Sequence, residues 1–243
     1  MSLLVMGMMS ASVLSVRSSE FSESTNHIAK IKSDYVAVGA IEYALHELAW
    51  GLSPSTPAGG LDFAGGNFEV DADPALGTVS VVGDVQGAQT EYDLNARFSK
   101  DCIELSFDDA QFVFEATSGG LEDLKYRKKC HHRLILSGMV ITWDSPSGVQ
   151  KIRKITCDNG NELQDLYQGW SIPYIGTPED GANSGEQINV ADLMIENDSW
   201  LTCTEITMSY AIGEKPSDGT QFSFLLQFAD GSEYLESIIY EED

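Results

Sequence analysis

Four cysteines, Cys102, Cys130, Cys157 and Cys203, are the residues of this chain best suited to covalent chemistry. Their spacings are long and none forms a CxxC, which disfavours a zinc ribbon or a thioredoxin-like redox pair. An even number of cysteines in an exported domain predicts two disulfides. Three pairings are open. Cys102–Cys130 with Cys157–Cys203 is favoured because each closes a loop of moderate length, although spacing alone does not fix it. Four buried thiols in a cytosolic protein is the competing reading. Cys130-His131-His132 carries transition-metal ligand types, but adjacent strand residues point to opposite faces, so no metal is expected there. His46-Glu47-Leu48-Ala49-Trp50 begins like a zinc-protease helix, yet Trp50 stands where the second histidine is needed. Asp71-Ala72-Asp73 and Asp158-Asn159-Gly160-Asn161-Glu162 are oxygen-rich in the way calcium sites are. Neither has EF-hand spacing, so no cofactor is expected, with calcium the one these loops leave open. There is no GxSxG elbow, Walker loop or dinucleotide fingerprint, and no enzyme is expected. Asn197-Asp198-Ser199 is a formal glycosylation sequon. Trp143, Trp170, Tyr174, Trp200 and Tyr210 could line a sugar- or surface-binding face, although core packing is the commoner use of such residues. Trp170 and Tyr174 are the best candidates for exposure.

The elements that would carry these residues fall into two parts. Ser2 to Val16 is apolar or small throughout, and no Gly or Pro interrupts Met8 to Val38. This predicts one long amino-terminal helix, greasy at its start and amphipathic afterwards. Ile28, Ile31, Tyr35, Val38, Ile41, Leu45 and Leu48 recur at steps of three and four, the mark of one buried helical face. Ala37, Ala40 and Ala44 permit close approach. Ser22, Ser24 and Thr25 are poor helix formers, so the helix is expected to loosen there. At 1.5 Å per residue, fifty residues would span roughly 75 Å. A body of the remaining size cannot cover such a helix, so its apolar first half is expected to project and to meet lipid or neighbouring subunits. The run before Arg17 is shorter than the roughly 20 apolar residues of an ordinary membrane span. It also has no basic leader of the kind a secretory signal carries.

The residues after Ser2-to-Val16 sharpen this. Arg17-Ser18-Ser19-Glu20 is followed by a polar stretch and then by Tyr35-Val36-Ala37-Val38-Gly39-Ala40-Ile41-Glu42-Tyr43-Ala44-Leu45-His46-Glu47-Leu48. This segment resembles the amino-terminal helix of type IV pilins and pseudopilins, most closely the PilX-type minor pilins, over the first fifty residues. The resemblance implies a leader removed by a prepilin peptidase, leaving Met1 as the mature, methylated terminus. It further implies an inner-membrane precursor, a pilus or type II secretion assembly machinery as partner, and a helical filament with these helices at its core. Most major pilins carry Glu at the fifth mature position. Val5 stands here and the first acid is Glu20, so major versus minor or tip subunit stays open.

The body reads differently. Gly51 to Gly66 is rich in Gly, Pro and Ser, with residues 53–66 taken as a linker. From Asn67 the pattern becomes period two with turn signals. Strands are expected at Asn67–Val70, Thr78–Val82, Thr90–Phe98, Cys102–Phe107, Gln111–Glu115, Arg133–Trp143, Val149–Cys157, Thr202–Ile212, Gln221–Phe228 and Glu233–Tyr240. Asp230-Gly231 and Asp144-Ser145-Pro146-Ser147-Gly148 are hairpin signals. Leu163 to Asn197 reads as a long surface loop with a short helix or strand. The expected fold class is therefore α+β: a long helix in residues 1–52, a linker, and one mainly antiparallel β-rich head in residues 67–243.

Net charge of −24 over 243 residues argues against nucleic acid as a partner, because phosphate binding needs a basic face. From Asn161 onward Lys215 stands alone against seventeen Asp and Glu. The basic residues cluster at Lys125, Arg127, Lys128, Lys129 and Arg133, and at Lys151, Arg153 and Lys154, so copies could stack head to tail. The expected function is a structural subunit of a type IV pilus-like extracellular filament at the cell surface. Met1, Leu3, Leu4, Val5, Met6, Met8, Met9, Val13, Leu14 and Val16 would form its homo-oligomeric assembly interface. Methionines suit irregular helix contacts, and Gly7, Ser10, Ala11 and Ser12 allow close approach. The alternative is a membrane-tethered extracytoplasmic binding or adhesion module.

Overall fold

The computed structural model describes residues 2–115, 118–144, 151–158, 163–167, 181–195, 199–209 and 216–242, with the side chains of 2–21 and a few strand residues outside that description. Among the described residues one α-helix, α1 (Ser2–Ala49), is followed by fifteen strands. This overturns the expectation of an α+β fold. Among the described residues the chain is mainly β, with three sheets, every strand pairing antiparallel, and two compact units. Strand signals were weak where glycines or charges replace β-branched residues, as in Ser118–Glu122 and Leu124–Lys128. The stretch read as a loop with one short helix or strand contains two strands, Leu163–Tyr167 and Gln187–Ile195.

The first unit comprises the helix up to His46 together with Pro54–Asp73 and Thr78–Asn95. Its sheet has the order β1 (Leu61–Phe63), β2 (Gly66–Asp73), β3 (Thr78–Val85), β4 (Ala88–Asn95). Leu61–Phe63 thus lies within the stretch read as linker. Gln86 and Gly87, both at positive φ, make the two-residue turn from β3 to β4, a geometry that matches strand twist. Phe68, Val70, Val79, Val81 and Val85 are buried beneath the helix. The helix comes unusually close over β3, where a Cβ on Gly83 would lie 2.6 Å from both the Ala37 nitrogen and the Ser33 carbonyl oxygen. Polar contacts clip the same helix to β4: Lys30 Nζ donates to the Gln89 carbonyl at 2.6 Å, and the Ser33 and Thr90 hydroxyls lie 2.8 Å apart.

The second unit comprises Glu47–Ser53, Pro74–Gly77 and the chain from Ala96 onward. The helix end here is a Schellman motif. Gly51, at φ +72°, donates to the Leu48 carbonyl, and Leu52 donates to the Glu47 carbonyl. After a 3-10 turn at Ser99–Asp101 come β5 (Ile103–Ser106), β6 (Gln111–Phe114), β7 (Ser118–Glu122), β8 (Leu124–Lys128), β9 (Leu134–Trp143), β10 (Lys151–Asp158), β11 (Leu163–Tyr167), β12 (Gln187–Ile195), β13 (Leu201–Ser209), β14 (Gln221–Phe228) and β15 (Glu233–Ile239). One sheet runs β11-β10-β13-β7-β6, with β8 bridging β13 and β5; the other runs β12-β9-β14-β15. Their inner faces share one core in which Ile103, Leu124, Ile155 and Ile206 of the first sheet meet Leu134, Ile141, Phe222 and Phe224 of the second. Phe112 on β6 contacts Phe222 on β14 with ring centroids 4.9 Å apart. This is two-sheet sandwich packing.

The β14–β15 hairpin shows why Asp precedes Gly in its turn. Asp230 is buried and its carboxylate accepts from the Ser99 N–H at 2.7 Å, the Ser232 N–H at 3.0 Å and the Ser232 hydroxyl at 2.6 Å. A buried carboxylate is tolerable when hydrogen bonds saturate it. Here they tie the carboxy-terminal hairpin to the 3-10 turn that precedes β5.

Candidate functional site

The surface that departs most from ordinary monomer behaviour is on α1. Its buried positions are Ala29, Ser33, Val36, Ala37, Ala40, Ala44 and Leu48. These are mostly small, and they recur at helical spacing on the side that meets β3. The large apolar residues lie on the opposite side, with Ile28, Ile31, Tyr35, Val38 and Leu45 between 46% and 65% exposed. The expectation of one buried face formed by Ile28, Ile31, Tyr35, Val38, Ile41, Leu45 and Leu48 is therefore corrected: of these, Leu48 is buried and Ile41 is half-buried. The reason is steric. Gly83 lets the backbones of helix and sheet touch, and large side chains on that side would push them apart. Tyr35 keeps one aromatic neighbour, Phe63, at a centroid distance of 6.2 Å. The missed signal was in the sequence, because Ala37, Ala40 and Ala44 have the same period as the stripe of large residues.

Exposed Ile28, Ile31, Tyr35 and Val38 follow steps of three, four and three, the heptad spacing by which one helix packs on another, and Glu42 interrupts the stripe before Leu45. The assembly residues inferred from sequence extend the same helix. Leu3, Leu4, Val5, Met6, Met8, Met9, Val13, Leu14 and Val16 lie on α1, their side chains outside the described part, and Met1 lies outside the described residues. No helix among the described residues is long and apolar enough to cross a membrane.

The cysteines pair as Cys102–Cys130 and Cys157–Cys203. The second bridge joins residues directly opposite each other on β10 and β13. The first pins the segment after β8, where Lys129 N–H donates to the Cys102 carbonyl at 2.7 Å. His132 Nδ1 lies 3.9 Å from Cys102 Sγ, so Cys102, Cys130 and His132 form a convergence of metal-ligand types, with the two sulfurs bonded to each other. No protein-family model matches this chain, and no curated protein matches it. Its chemistry must therefore be read from its own surfaces.

The remaining expected site residues separate. Asp71 and Asp73 share the outward face of β2, while the other oxygen-rich loop is described only as far as Asp158. Trp143 is buried. Trp170, Tyr174 and Tyr210 lie outside the described residues, as do Asn197 and Asp198 of the sequon and residues 145–148 of the expected β9–β10 turn. Trp200 is exposed beneath the Arg127 guanidinium, 4.5 Å from its ring centroid. Arg127 also pairs with Glu104 at 2.7 Å, and its hydrogen bond holds that carboxyl below the usual range. Trp50, where the zinc-protease pattern fails, stacks under Arg133 at 4.2 Å.

Burial pushes the His132 imidazole below its ordinary pKa, with nearby Asp230 opposing the shift and Lys128 adding to it. The folded state therefore resists the proton that the unfolded state accepts near pH 6.5. This stability contribution is complete above that pH and is lost as pH falls through the depressed folded value. Equilibrium unfolding between pH 7.5 and pH 5 should show stability declining as pH falls, and His132→Gln should flatten the decline. An unchanged slope in His132→Gln would assign the effect to other groups.

Proposed function

We propose that this chain is a structural subunit of a type IV pilus-like extracellular filament, made from an inner-membrane precursor and assembled through α1. The observation that carries this reading is the two-faced helix. One face, small and tightly packed, belongs to the subunit's own sheet. The other, large and apolar, is left to water in a single copy, and exposed apolar surface of this extent marks an association site. Its heptad spacing selects a helix as the partner, and a repeating filament supplies that helix from identical neighbours. The apolar run from Leu3 to Val16 continues the same helix and would pack with its counterparts. The resemblance of residues 17–48 to minor pilins supports this independently, as do two disulfides, which suit an oxidising extracellular location. The role is assembly, without catalysis, and a pilus or type II secretion machinery is the partner it requires.

The test is mass spectrometry of material sheared from the cell surface. Abundant protein beginning at Met1, carrying an added methyl and four fewer hydrogens than the reduced chain, is the expected result. A terminus beyond Val16, or absence from the sheared fraction, would replace this reading with the tethered binding module.

A further inference from the structure

The sheet of the first unit carries charge of one sign. No Lys or Arg occurs between Lys32 and Arg97, a span that contains all of β1–β4. On the outward face of that sheet, Glu69, Val82 and Glu91 stand in one cross-strand row, and Asp71, Ser80 and Asp93 in the next. Directly opposed residues share a face. Carboxylates therefore flank an uncharged central strand on both sides, roughly 10 Å apart across two strand spacings. Glu69, Asp71, Glu91 and Asp93 are all exposed. Ser80 and Val82 floor a recess here, walled by Glu69, Asp71 and the loop from Thr56 to Gly59.

The second unit presents the opposite charge on one ordered segment. Lys129 and His131 are exposed on the segment between β8 and β9, whereas Lys128 is buried. That segment is held by the Cys102–Cys130 bridge, by the Arg133 N–H donating to the Ala49 carbonyl at 3.2 Å, and by Arg133 stacking on Trp50. Lys125 is paired with Asp109 and Arg127 with Glu104. Lys129 makes no direct ion pair among the described residues, although its charge acts through space on the Glu104 carboxyl. A cation on a segment held in this way is what an acidic recess can seat at little ordering cost.

We propose that the acidic outward face of β2–β4 in one copy receives the Lys129–Arg133 segment of a second copy. The contact is heterologous, using two different patches, so it repeats from copy to copy instead of closing as a symmetric pair. Each copy carries a large net negative charge, and the local pairing of opposite charges selects this orientation over others. The contact goes beyond the filament reading and does not require it, since it involves neither the α1 stripe nor residues 1–16.

The experiment uses full-length protein in detergent as an equal mixture of unlabelled and 15N-labelled chains, joined by a zero-length carbodiimide cross-linker. Peptides linking Lys129 to Glu69, Asp71 or Glu91 are expected in mixed-label form. Lys129→Glu with Arg133→Glu removes the reacting amine and should abolish these links. Mixing that variant with a Glu69→Lys, Asp71→Lys chain should restore a link between positions 69 and 129. Lys129→Gln, which adds no negative charge, serves as the folding control. Same-label links alone, links from Lys129 to other carboxylates, or no restoration in the charge-swapped mixture would each overturn the proposal. Sheared-filament yield is a separate readout, so failure here and failure of the filament reading are distinguishable.

Discussion

Ile31→Glu with Val38→Glu should abolish filament assembly while leaving the subunit folded. Both side chains are on the exposed stripe of α1, so neither contributes to the core of the first unit. Surface substitutions of this kind typically change stability by less than about 0.5 kcal/mol each. Between packed helices the outcome differs. A carboxylate forced into an apolar seam lacks a partner, and the desolvation cost is several kcal/mol per buried charge. Repeated at every subunit, two such charges should reduce sheared-filament yield below detection by electron microscopy. Circular dichroism melts of the detergent-solubilised chain should remain close to wild type. Ile31→Leu with Val38→Ile keeps the seam apolar and should assemble. Normal filament yield from the double Glu variant would remove the stripe from the interface. Unfolding of the monomer would show that these residues are buried in the subunit itself.

The second large effect concerns the sandwich. Loss of the Cys157–Cys203 bridge, by Cys157→Ala with Cys203→Ala, should lower unfolding stability by about 4 kcal/mol. The sequence separation is 46 residues, and chain-entropy arguments for a loop of that length give this magnitude. Both cysteines are buried, and the bridge crosses β10 and β13 near the middle of the larger sheet. Removal leaves the ladder hydrogen bonds in place, so most of the loss acts through the unfolded chain. The melting midpoint should fall by roughly 10 °C, following the 2–4 °C per kcal/mol typical of chains of this size. The Cys102–Cys130 bridge spans 28 residues, and the same argument gives a slightly smaller cost. Urea titration under non-reducing conditions measures both. A loss below about 1 kcal/mol for the β10–β13 bridge would mean that the unfolded chain is already constrained without it.

Local signals in the sequence were informative where one short segment dictates its own structure. The β14 strand runs over the residues expected, Gln221–Phe228, because alternating Phe and polar residues permit one inward face. Asp230-Gly231 turns the chain, and Gly51 ends the helix, because positive φ favours glycine. The favoured disulfide pairing matches the structure, yet the reason for it does not come from loop length. Cys157 and Cys203 meet because strand register sets them opposite each other, and register is a tertiary property.

Other features could not be read locally. Two stripes on α1 share one period, and periodicity cannot say which of them faces the sheet. Gly83, far along the chain, decides it by admitting a close backbone approach that only small helix residues can match. Gly119 and Gly120 lie inside a strand because neighbouring strands supply its hydrogen bonds, although their own propensity opposes it. The same dependence on distant partners groups β1–β4 with the helix and overturned the α+β reading. By itself the sequence determined a long apolar-to-amphipathic helix, a strand-rich remainder and an acid-dominated surface, since composition and short-range pattern suffice for those. The tertiary structure alone decided which helix face stays exposed, which cysteines meet and which carboxylates share a face, because each depends on contacts between residues far apart in the chain.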